Sequence, residues 1–170
     1  LTEIARESRL ADCNELLSRL VRSLSGVDAD IDTLGSLDSD FLIERGTKMV
    51  CMYRWLYVPA RIRHFDTAQQ NKEWHMLQAL VFSAGLCTKS FCCIAGHPSF
   101  PTCAALAGES VLDQNLFTAL EYARMCYYIQ KHWPGARSLL ARGVATEFEQ
   151  LPPVSGADRL LGDLLHGRRR

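Results

Sequence analysis

Neither sign of charge is in excess in this chain: 19 lysines and arginines stand against 19 aspartates and glutamates in 170 residues. A neutral chain gives no general reason to expect nucleic acid or an acidic surface as partner. Motifs that announce chemistry are missing as well. There is no nucleophile elbow, no zinc-protease helix, no Walker loop and no dinucleotide fingerprint. The chain is therefore not expected to be an enzyme, and no cofactor is expected. No segment alternates apolar and polar residues long enough to suggest a strand. Nor does any run read as a membrane span, because the most apolar stretch, residues 74–97, is interrupted by Ser83, Gly85, Lys89 and Ser90. Leu1 opens an amphipathic, charged segment rather than a signal peptide. A start at leucine suggests a fragment of a longer protein, which is expected to be intracellular, nuclear or cytoplasmic, from its cysteine usage.

What is present is an ordinary globular composition, 48% apolar, in a chain long enough to bury roughly 70% of its unfolded surface. Seven cysteines stand at 13, 51, 87, 92, 93, 103 and 126. Their number is odd and most fall inside apolar helical patterns, which fits reduced thiols used as small core residues rather than a disulfide framework.

The organising stretch is Trp74 to His97, uncharged except for Lys89 and free of proline. At about 100° per residue, Leu77, Leu80, Val81 and Ala84 share one face, while Phe82 and Leu86 lie on another. A helix apolar on more than one face is a buried one. We therefore expect a central helix over 67–95, capped by Asp66 or Thr67 and stopped at Gly96. Before it, Leu10, Cys13, Leu17, Leu20 and Val21 give a first helix over 2–25 that ends at Gly26. An acidic linker follows. Asp28, Asp30 and Asp32 begin like a calcium loop, but Thr33 stands where glycine is needed and Ser39 where a bidentate glutamate is needed, so a solvated turn is expected. A second helix is expected from Asp40 to Val58, broken by Pro59.

Further on, a helix from Ser110 or Asp113 should turn Leu120, Ala123, Tyr127 and Ile129 inward, up to a corner at Trp133-Pro134-Gly135. Another helix then runs to Gln150. The expected fold is all-α: six to seven helices in stacked antiparallel hairpins around the buried helix 67–95. Residues 1–151 would form the domain, and 152–170 a proline-linked C-terminal helix with a basic tail.

Three constellations are candidates for a site. Cys93, His97 and Cys103 have residue types that suit structural zinc. Cys87, Cys92 and Cys93 on one helix would point roughly 100–140° apart and could not converge on an ion, so the expectation is buried thiols and no metal. The stretch 45–64 carries Lys48, Arg54, Arg61 and Arg63 among Tyr53, Trp55 and Tyr57, a pattern that could track a phosphate backbone. Nucleic acid is therefore the alternative partner. The exposed aromatics Trp55, Tyr57, Tyr128 and Trp133 are candidates for contact with another protein or peptide, because aromatics dominate interface hot spots.

Residues 127–136, Tyr-Tyr-Ile-Gln-Lys-His-Trp-Pro-Gly-Ala, resemble the junction of a tetratricopeptide repeat, with the likeness extending over about 113–152. Lys131 and His132 stand where that family usually has a small glycine, and no second copy occurs at its period. What the resemblance implies is a helical scaffold that binds peptides or partner helices. The main functional expectation is a protein–protein interaction or assembly module.

Overall fold

The computed structural model describes residues 7–37, 49–52, 54–90 and 111–150, which belong to two compact units, Leu1–Phe91 and Cys92–Arg170. In the first unit a short strand β1 (Ser8–Arg9) leads into helix α1 (Leu10–Ser25). Strand β2 (Asp30–Thr33) and a 3-10 turn (Leu34–Leu37) follow, then β3 (Val50–Met52), β4 (Trp55–Val58), β5 (Arg61–Ile62) and helix α2 (Ala68–Cys87). In the second unit helix α3 (Val111–His132) and helix α4 (Arg137–Gln150) flank a 3-10 turn at Pro134–Ala136.

The all-α expectation of six to seven helices is therefore wrong. The described residues form four α-helices and five short strands in two small sheets. One sheet has the order β2-β4-β3, with β2 parallel and β3 antiparallel to β4; the other is an antiparallel ribbon of β1 and β5. The error has a physical source. Met49, Val50, Tyr53, Leu56 and Tyr57 recur at helical spacing, but Trp-Leu-Tyr-Val is also a β-branched and aromatic run of alternating faces. Its partner, Asp30–Thr33, lies in the segment read as a solvated turn, where Ile31 points into the core and the aspartates point out.

The core of the first unit lies between this sheet and the two helices. Leu10, Cys13, Leu17 and Val21 form the apolar stripe of α1. They pack with Ala79 and Phe82 of α2 and with Ile31, Leu56 and Val58 from the inner face of the sheet. α1 begins at Leu10, not at residue 2. It ends as its sequence suggests, with Gly26 at φ 72° donating its N–H to Arg22 O at 2.8 Å. The left-handed turn needs no Cβ to be accommodated there.

α2 opens with a capping box: the Thr67 hydroxyl accepts from Gln70 N at 3.1 Å, and Gln70 Oε1 accepts from Thr67 N at 3.2 Å. Every residue from Leu77 to Gly85 is buried. The helix is not continuous to 95 but ends at Cys87, where Lys89 turns left-handed at φ 60° and Ser90 N closes on Gly85 O at 2.8 Å.

In the second unit Met125, Cys126 and Ile129 of α3 and Leu140 of α4 are buried. Two residues expected inward are not: Leu120 is 53% and Tyr127 64% exposed. The buried stripe of α3 is displaced around the helix from the one the sequence suggests. The expected C-terminal helix and tail at 152–170 lie outside the described residues.

Candidate functional site

Strand β4 divides its side chains cleanly. Leu56 and Val58 are fully buried on the inner face, while Trp55, 40% exposed, and Tyr57 stand on the outer one. Residues two apart on a strand share a face, and these two rings stack with centroids 5.9 Å apart and planes 11° from parallel. The register sets Val50 beside Tyr57 on one flank, with Asp32 beside Tyr57 and Asp30 beside Trp55 on the other. The outer face thus grades from carboxylates through an aromatic pair to an aliphatic residue. Arg54, in the turn before β4, reaches Asp30 Oδ2 with Nε at 3.1 Å and Nη2 at 3.0 Å. The outer edge of β2 is partly closed, since Asn14 of α1 donates its side-chain amide to Ile31 O at 3.3 Å.

The ribbon of β1 and β5 is charged on its outside. Its register pairs Ser8 with Ile62 and Arg9 with Arg61, and one step further sets Glu7 against Arg63. Glu7 Oε1 accepts from Arg9 Nε, and Oε2 accepts from Arg63 Nε and Nη2, both at 2.7 Å. The Arg9 guanidinium, and after it that of Arg63, hold the Glu7 carboxyl below its usual range.

The inside of the same ribbon is a polar knot. Ser8 Oγ lies 3.1 Å from His75 Nδ1, and His75 Nε2 lies 3.1 Å from Pro59 O. A carbonyl can only accept, so Nε2 carries the proton and Nδ1 accepts from the Ser8 hydroxyl. Burial pushes the His75 pKa down, which keeps the ring neutral. Cys13 donates its thiol to Arg9 O at 3.3 Å with its sulfur 3.7 Å from His75 Nδ1; burial raises its pKa. A hydroxyl on a neutral imidazole held by a third group is the arrangement that activates a nucleophile. Here His75 is fully buried and Ser8 nearly so. What the knot does in this fold is tie β1, α1, α2 and the turn after β4 together.

Asn71, also fully buried, plays a similar part at the start of α2. Its Oδ1 accepts from Phe65 N at 2.9 Å and its Nδ2 donates to Phe65 O and Thr67 O, both at 3.0 Å. This folds Phe65 against Trp74, with ring centroids 5.5 Å apart.

In the second unit Tyr128 makes an edge contact with Trp133 at 5.4 Å and stacks on His132 at 4.3 Å. Arg137 donates from Nε to Gln130 O at 2.7 Å across the same corner. Tyr128 and Trp133 thus clasp the hairpin, and Tyr127 is the open ring beside them.

The residues singled out from sequence separate accordingly. Trp55 and Tyr57 come together on one sheet face, and Tyr128 and Trp133 at one helical corner. Arg61 and Arg63 share the ribbon, whereas Arg54 belongs to the other sheet. Lys48, Cys93, His97 and Cys103 lie outside the described residues; among the described residues no group of three His, Cys, Asp or Glu could hold a metal ion, and no helix is long and apolar enough to cross a membrane. Sequence reasoning missed Glu7, Arg9, Ser8, His75 and Asn71. A histidine and an asparagine inside an apolar helix were the available signal, but their partners are remote in sequence. No protein-family model, curated protein or solved structure matches the chain.

Proposed function

We propose that this chain is a protein-interaction module whose contact surface is the outer face of the β2-β4-β3 sheet. The observation that carries the reading is Trp55, a large ring left 40% exposed and stacked on Tyr57 on a strand whose alternate residues are fully buried. Keeping an indole in water forgoes roughly 25 cal/mol for each Å² of apolar surface that could be covered, and stacked, pre-ordered aromatics lose little rotamer freedom on binding. The flanks suggest the occupant. Val50 extends the apolar strip, and Asp32 lies on its other side, so a peptide or helix with aliphatic residues and a lysine or arginine fits.

The role is one of binding rather than catalysis, and the sealed Ser8–His75 pair supports that reading. Selection of a displayed peptide library on the intact chain tests it. Enrichment of basic, aliphatic sequences that fail to bind the W55S/Y57S double variant is the expected result. Peptides that bind the double variant equally well, or no enrichment, would sink the proposal. Self-association abolished by the same substitutions would assign the face to a second copy of the chain instead.

A further inference from the structure

The geometry points to a phosphate-binding face on the β1–β5 ribbon, made by Arg9, Arg61 and Arg63. Four charged residues stand on its outer side in two cross-strand pairs, Arg9 opposite Arg61 and Glu7 opposite Arg63. Like charges directly opposed on a ladder are unfavourable, and one carboxylate cannot balance three guanidinium groups. Glu7 is occupied by Arg9 and Arg63, and Arg61 has no ion pair among the described residues. All three arginines are exposed. The ribbon therefore carries two positive charges in excess in a chain whose total is zero.

An added anion relieves the Arg9–Arg61 opposition, and guanidinium forks match the oxygens of a phosphate in bidentate fashion. The site differs from the basic stretch the sequence suggests: Arg54 lies beside the other sheet, paired with Asp30, and Arg9 joins Arg61 and Arg63 on the ribbon. Phosphate could come from a nucleic-acid strand or from a small phosphate compound.

Two probes separate these sources on the intact chain: a fluorescein-labelled oligothymidine read by anisotropy across a salt series, and pyrophosphate read by calorimetry. Binding of the oligonucleotide assigns a strand, and binding of pyrophosphate alone assigns a small phosphate. In the first case the R9A/R61A/R63A variant should bind at least about tenfold more weakly, with a salt slope smaller by about 2, at about 0.7 per lost phosphate contact. R54A should bind as the parent does. E7Q, isosteric with the parent but without the competing carboxylate, should bind severalfold more tightly. It serves as the second test if the triple variant does not fold. No binding of either probe at low salt, binding indifferent to both E7Q and the triple variant, or equal displacement by polyglutamate would overturn the inference.

Discussion

His75 is gripped at both ring nitrogens, by a hydroxyl that gives it a proton and a carbonyl that takes one. Protonating the ring would put a second N–H against Ser8 in a site that excludes water. The sign of the pH effect follows. Burial lowers the folded pKa, while the unfolded histidine keeps its usual value near 6.5. Below that value the unfolded chain binds the extra proton first, so stability rises with pH there. The contribution is fully present above about pH 6.5 and is lost as pH falls towards the folded pKa.

The urea midpoint should therefore drop between about pH 7 and about pH 5, and H75L should remove that dependence while costing about 2 kcal/mol at neutral pH by taking the histidine partner from Ser8 and from Pro59 O. A midpoint in the parent that is flat over this range would contradict the assignment. Glu7 acts in a separate, more acidic window: its depressed pKa makes its contribution present above the usual carboxylate value and lost as pH falls through the lowered one. The sequence showed a histidine on an apolar helix. It could not show that Ser8, far away in the chain, would be its donor.

At the scale of elements, the helices were legible and the strands were not. The stripe of α1 and its stop at Gly26 depend on neighbours three and four residues apart and on one left-handed glycine, all local. The Thr67 and Gln70 capping box is local too. Thr67→Ala should lower stability by about 1 kcal/mol, read as a shift of the urea midpoint with unchanged slope; no shift would mean that α2 begins elsewhere. Strand β4 has only four residues, too few to establish a period. Its parallel partner β2 is separated from it by more than twenty residues, so the pairing that makes it a strand leaves no trace in either segment alone. The same limit explains α3, where the sequence offers several apolar stripes and packing chooses Met125, Cys126 and Ile129 over Leu120 and Tyr127.

For the molecule as a whole, the aromatics and arginines chosen from the sequence are grouped by topology and not by their order in the chain. The stretch 45–64 looks like one basic, aromatic surface. Folding sends its parts to different places, with Trp55 and Tyr57 on the sheet, Arg54 neutralised beside them, and Arg61 and Arg63 on a ribbon with Glu7 and Arg9.

The chain has three tryptophans, at 55, 74 and 133, each with one indole N–H signal in a proton–nitrogen correlation spectrum. Titrating a selected peptide into isotope-labelled protein should move the Trp55 signal and leave those of Trp74 and Trp133 in place. Movement of Trp133 with Trp55 unchanged would put the contact at the helical corner and contradict the sheet-face account.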